Sequence, residues 1–349
     1  MADQVMARRR RGWAAAMAAV ALGAVGVVGV PAGSVDAACA AGMRAAQSPQ
    51  PFCSPLYDAE LTQDGTIYRT AEDYEGNDVD LALDVWEPVG DPADQLRPAV
   101  LWMHGGYFEY GDRTGDQDVF EDFASRGFVV VSIDYRLQPV PPGSGLSIPT
   151  EDAVVDTRED AEAAVQWMHD NAPALRIDPA SIVASGYSAG GITSLGLVHE
   201  SANAGSPPPV AAAVSFSGVD MYRTLPARAG DQPVLMFNGE EDGIVPIGAA
   251  DSGCQTTVLA GSECDFIRLP EQGHTSGSPS DRQTAVNWLA AHGIAQLAGC
   301  EPFDIPTVDH STTTAVPTTS TTTTTAPPVV DDGTARPATP VSGSPSFTG

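Results

Sequence analysis

The stretch Ser181-Ile182-Val183-Ala184-Ser185-Gly186-Tyr187-Ser188-Ala189-Gly190-Gly191 decides how the rest of the chain reads. Its first half is a short, mostly apolar run of the kind that forms a strand buried on both faces. Its second half opens an apolar helix near Gly191. Between them, Gly186-Tyr187-Ser188-Ala189-Gly190 is a G-x-S-x-G turn in the strand-turn-helix setting that gives the motif its meaning. So tight a turn would make side chains two before and two after the serine collide, which accounts for both glycines. It also holds the serine in strained backbone with Oγ clear of the sheet. Ser188 is therefore a candidate nucleophile; the alternative is a Gly-rich turn that cradles an anion at a helix start.

Working outward, strands are predicted at 66–71, 79–86, 99–104, 128–134, 181–186, 211–216, 234–238 and 265–269. Several are unbroken apolar runs, such as Phe128-Val129-Val130-Val131 and Val234-Leu235-Met236-Phe237. Helices fall between them. The clearest starts at Thr150, an N-cap followed by Glu151 and Asp152, and turns Val154, Val155, Ala161, Ala164, Val165 and Met168 toward the sheet. A second begins just after Ser188, and a third runs over 281–291. The fold class is α/β, with about eight strands in a mostly parallel sheet and helices on both faces.

A serine hydroxyl needs a base to take its proton, and the base needs an acid to fix its tautomer and stabilise the cation. In a serine-first chain order the acid follows the next-to-last strand and the histidine follows the last. Of the six histidines, His274 lies in a Gly-flanked loop past the final strand, whereas His169, His199 and His292 fall on helices and His310 near the C-terminus. His274 is the expected base. Asp242 in Gly239-Glu240-Glu241-Asp242-Gly243 is the expected acid, with Glu241, Glu240 and Asp220 as alternatives. His104-Gly105-Gly106-Tyr107, at the end of the third strand, offers backbone N–H groups to a developing oxyanion. The amides of Gly105, Gly106 and Tyr107 together with that of Ala189 are the expected donors. His104 is then a residue that positions this loop. Trp102, Tyr107, Phe108, Tyr110 and Tyr187 lie beside these motifs as candidates for lining an acyl or aryl pocket, or as core.

At these motifs the chain resembles the carboxylesterase and hormone-sensitive-lipase-like branches of the α/β-hydrolase superfamily. The resemblance rests on His104-Gly105-Gly106, Asp134-Tyr135-Arg136-Leu137, the lead-in Ile177-Asp178-Pro179-Ala180-Ser181 and the elbow Gly186 to Gly191, and spans roughly residues 60 to 295. It implies an α/β-hydrolase fold and cleavage of carboxylic esters by Ser188, Asp242 and His274, a mechanism that calls for no cofactor and no metal. Tyr107 stands where many relatives carry a third glycine, so the resemblance does not extend to bulky tertiary-alcohol esters. The short connection from Gly218 to Gln232, where many relatives insert a cap, implies an open site with no large cap domain. A prolyl-oligopeptidase-like serine peptidase is one alternative, although its usual propeller domain has no room here. A noncatalytic surface adhesin built on the same scaffold is another. The natural ester, including an extracellular polyester or a feruloylated wall polymer, is left open.

The formal net charge of −28 argues against partners that need a positive field, including nucleic acid and anionic lipid. Residues 1–40 read as a signal peptide, with Arg8 to Arg11 basic, Gly12 to Val30 apolar and small residues offering cleavage after Ala37 or Ala40. A retained anchor is the alternative, and Arg10-Arg11 is a weak twin-arginine match. Five cysteines suit an oxidising compartment. Cys254 could pair with Cys264, and Cys53 with Cys300; cleavage after Ala40 would remove Cys39 and leave an even number. The catalytic domain is expected over 41–302. Residues 303–349, dominated by Thr, Pro and Ser, are expected to form a disordered tail, either a plain flexible segment or a glycosylated stalk associated with a cell wall. The protein is therefore expected outside the cell or on its surface.

Overall fold

A computed structural model describes residues 55–139, 149–201, 210–221 and 227–295. Eight strands form one sheet: β1 (Asp58–Glu72), β2 (Asp78–Val89), β3 (Arg97–Met103), β4 (Val129–Ile133), β5 (Ile177–Tyr187), β6 (Ala212–Phe216), β7 (Val234–Gly239) and β8 (Cys264–Leu269). Their spatial order is β1-β2-β4-β3-β5-β6-β7-β8. The β1/β2 and β2/β4 pairs are antiparallel, and every pair from β4 through β3 to β8 is parallel. The expected mostly parallel α/β sheet is the one found.

Alternate residues of the central strands feed two apolar layers, as a period of two requires. Leu101, Met103, Val129 and Val131 face one side, against α2 (Glu151–Leu175), α3 (Ala189–Gly196) and α4 (Ile247–Leu259). Val100, Trp102 and Val130 face the other, against α1 (Gln117–Ser125) and α5 (Pro279–Ala291). Both layers are buried, so the parallel strands are apolar on most consecutive residues.

Local signals set the helix starts. Thr150 Oγ1 accepts the Ala153 N–H at 3.1 Å and caps α2. Val154 is buried there as expected, but Val155 is only half-buried, because adjacent helical positions point about 100° apart. Ser278 and Asp281 cap α5 reciprocally, the Asp281 N–H donating to Ser278 Oγ and the Ser278 N–H to Asp281 Oδ2 at 2.7 Å. This helix starts two residues before its predicted position, with Pro279 at its first turn.

The disulfide Cys254–Cys264 ties α4 to the first residue of β8, with Cα atoms 5.6 Å apart. Cys53, Cys300, residues 1–40, where a signal peptide is expected, and residues 303–349, where a disordered tail is expected, lie outside the described residues.

Candidate active site

The C-terminal ends of β3, β5, β6, β7 and β8 carry the loops that hold the predicted chemistry. Ser188 directly follows β5 with φ 55° and ψ −114°, a conformation that costs a non-glycine residue roughly 1–3 kcal/mol and persists only when its surroundings hold it. The surroundings do so. The Ser188 N–H donates to Phe216 O at 2.9 Å, and Ser188 O accepts from Ile192 N–H at 2.9 Å as α3 begins. The glycines of the turn are sterically obligatory. A Cβ on Gly186 would stand 2.6 Å from Gly190 C, and one on Gly190 would stand 1.9 Å from Met103 O.

The same close approach presses the turn after β3 against the elbow. Gly106 O accepts the N–H groups of Glu109 and Tyr110 at 2.9 and 3.1 Å, curling a loop in which Gly106, Tyr107 and Phe108 all have positive φ. Among the described residues, the amides of Gly105, Gly106, Tyr107 and Ala189 have no protein acceptor. His104 braces this loop from behind. Its Nδ1–H donates to Gly105 O at 2.7 Å, and its ring stacks on Tyr135 at 4.2 Å. The Tyr135 hydroxyl in turn donates to His104 O at 2.8 Å. Burial pushes the His104 pKa down, so the ring is neutral and packed into the structure, as befits a positioning residue.

Asp242 and His274 meet. His274 Nδ1 lies 2.8 Å from Asp242 Oδ2, and because a carboxylate only accepts, Nδ1 carries the proton. In the neutral ring Nε2 is then the basic nitrogen. Asp242 Oδ1 accepts the N–H groups of Ile244 and Val245 at 2.8 and 2.9 Å, so both of its oxygens are fixed and its side chain is fully buried. Of the alternatives, Glu240 and Glu241 are exposed, and Asp220 lies against Gly253 of α4. The acid and histidine loops are stitched together by the Glu241 N–H donating to Gln272 O at 2.9 Å.

No hydrogen bond joins Ser188 Oγ to His274 among the described residues. The serine half of the relay is open, and such contacts often tighten only when substrate is bound.

The candidate pocket aromatics divide. Trp102 and Phe108 are fully buried core, and Trp102 Nε1–H donates to Asp116 at 2.9 Å. Tyr107 and Tyr187 are half-buried, and Tyr110 is exposed. One site residue escaped the sequence reading. The Ser217 hydroxyl donates to Thr275 O at 2.9 Å and accepts the Thr275 N–H at 3.0 Å, pinning the residue after His274 to the end of β6. Its only sequence signal is a Ser-Gly pair just past a strand.

Sheet order, elbow and loop placement define an α/β-hydrolase, and comparison with known proteins narrows the class. Residues 83–204 match the family model described as BD-FAE. Carboxylesterase NlhH of Mycobacterium tuberculosis is 31% identical over 229 residues, covering 62% of this chain and 67% of that protein. Esterase LipI of the same organism is 30% identical over 169 residues, 45% of this chain; the match spans about half of LipI, 49% of its length. Among solved structures, esterase 2 of Thermogutta terrifontis phosphorylated by paraoxon superposes with a TM-score of 0.54 at 24% identity, covering 68% of this chain and 96% of that one. That likeness bears on the fold. The chain belongs to the α/β-hydrolase esterase family.

Proposed function

We propose that the protein hydrolyses small carboxylic esters through an acyl-enzyme on Ser188. The observation that carries this reading is the 2.8 Å contact of Asp242 with His274 Nδ1, which leaves Nε2 as the basic nitrogen of a loop that leaves the same edge of the sheet as the strained Ser188. His274 Nε2 takes the Ser188 proton as Oγ attacks the carbonyl carbon. The oxyanion draws on the amides of Ala189 and of the Gly105–Tyr107 turn, each worth about 3 kcal/mol in the transition state. Asp242 stabilises the imidazolium. Its proton passes to the departing alcohol, and water then repeats the sequence on the acyl group and releases the acid.

Purified protein is expected to turn over p-nitrophenyl acetate and p-nitrophenyl octanoate, with Ser188→Ala lowering the rate about 10,000-fold or more. Turnover of a peptide anilide alone would point to a peptidase, and no turnover of any substrate to a binding scaffold.

The reading extends to location. Residues 1–40 act as an export signal and 303–349 as an extracellular tail, supported by a disulfide of the kind that persists in oxidising compartments. Mass spectrometry of protein recovered from culture medium should find a mature N-terminus after Ala37 or Ala40. An intact N-terminus confined to the cell fraction would reject export with cleavage.

A further inference from the structure

Tyr187, between the first elbow glycine and Ser188, has no part in the mechanism above. It is the last residue of β5, half-buried, and its ring touches two loops at once. The ring centroid lies 5.0 Å from that of His274, with the planes inclined at 48°. Another edge of the ring fills the space over Gly105. A Cβ there would stand 2.6 Å from Tyr187 Cδ1 and 2.9 Å from Cε1. Burial and then the Asp242 charge push the phenol pKa up to about 12, so the ring is neutral wherever His274 works as a base.

Resting on the esterase reading, we propose that Tyr187 is a positioning residue, its ring wedged between Gly105 and His274 so that the imidazole keeps its orientation. The Asp242 hydrogen bond fixes the direction of Nδ1 but not the tilt of the ring about that bond. A neighbouring ring in contact supplies the missing constraint and shields the Nδ1–H···Asp242 bond from water. Glycine at 105 then serves the wedge as well as the oxyanion turn, because any side chain there would displace the tyrosine. An imidazole misplaced by about 1 Å can cost about 100-fold in rate.

The test uses the full-length protein and p-nitrophenyl acetate. Tyr187→Ala should lower kcat roughly 10- to 100-fold with KM changed less than about threefold, and Tyr187→Phe should return kcat to within about threefold of wild type. The low-field proton resonance of the His274–Asp242 hydrogen bond should persist in Tyr187→Phe and vanish through exchange in Tyr187→Ala. Gly105→Ala combined with Tyr187→Ala should lose much less than the product of the two single losses, since removing the ring removes the clash. If Tyr187→Ala fails to fold, Tyr187→Leu keeps apolar volume without the ring and should show the same loss. Wild-type kcat and an intact low-field resonance in Tyr187→Ala or Tyr187→Leu, or strictly multiplicative losses in the double variant, would overturn the proposal. Turnover that survives Ser188→Ala would instead sink the esterase reading itself.

Discussion

At the residue scale, three adjacent carboxylates compete for one role. Glu240, Glu241 and Asp242 sit on the same turn after β7, and sequence ranks them only by their place in a motif. What separates them is that Asp242 is turned inward, its Oδ1 held by the amides of Ile244 and Val245, so that Oδ2 faces His274 at 2.8 Å. Asp242→Asn keeps the shape but offers the imidazole an amide, which favours the wrong tautomer. Its kcat should fall roughly 1,000- to 10,000-fold, while Glu240→Gln and Glu241→Gln stay within about twofold. Steady-state kinetics on a nitrophenyl ester decide it, and equal losses in Glu241→Gln would refute the assignment. Ser188 and His274 could be named as candidates from the sequence because a local motif or a process of elimination isolates each. The bracing of the histidine loop by Ser217 was not, since its partner Thr275 is 58 positions away.

At the scale of elements, all eight strands were readable; β3 to β8 are mostly buried on both faces and are written largely as apolar runs, whereas the edge strand β1 was legible only over its C-terminal half. The largest discrepancy is β1, predicted over 66–71 and observed from Asp58 to Glu72. Residues 58–65 offer only Ala59 and Leu61 as apolar residues, an alternation too short to mark a strand before Gln63, Asp64 and Gly65. They are extended because β2 supplies a ladder for an edge strand, with register shifts between Leu61 and Arg69. The link from α4 to β8 is likewise a matter of elements. Cys254–Cys264 closes a 10-residue separation within the arm that runs from the acid loop to the histidine loop. Replacing both cysteines with alanine should cost about 2–3 kcal/mol by the chain-entropy relation. Urea unfolding of the oxidised protein and of the double variant would measure this, and an unchanged midpoint would refute it.

At the scale of the whole molecule, acidity is managed with arginine. The 17 basic residues of the chain are all arginine, and Arg69, Arg113, Arg136 and Arg282 each fasten distant segments through two or more carboxylates at once. Arg136 of the Asp134-Tyr135-Arg136-Leu137 segment joins the end of β4 to Asp156, Glu159 and Asp160 of α2. Asp91 receives hydrogen bonds from Arg97 and Arg176, and these hold its carboxyl at about 2. A folded-state pKa below the unfolded value means that ionised Asp91 adds stability above about pH 4, and that this is lost as pH falls toward 2. Urea midpoints should therefore drop across that window. Asp91→Asn should lower the midpoint at neutral pH and flatten the acid limb; an unchanged acid limb would remove Asp91 as its cause.

What the sequence determined is whatever depends on neighbours along the chain. The elbow needs small residues two before and two after Ser188, buried strands need consecutive apolar side chains, and helix starts need a capping oxygen. What only the tertiary structure decided is whatever depends on residues brought together from afar. It inserted β4 between β2 and β3, turned Asp242 rather than Glu241 toward His274, and set Tyr187 between Gly105 and the imidazole. These contacts join segments separated by tens of residues, and no local propensity encodes them. They follow from the strand order, which brings the loops at one edge of the sheet together.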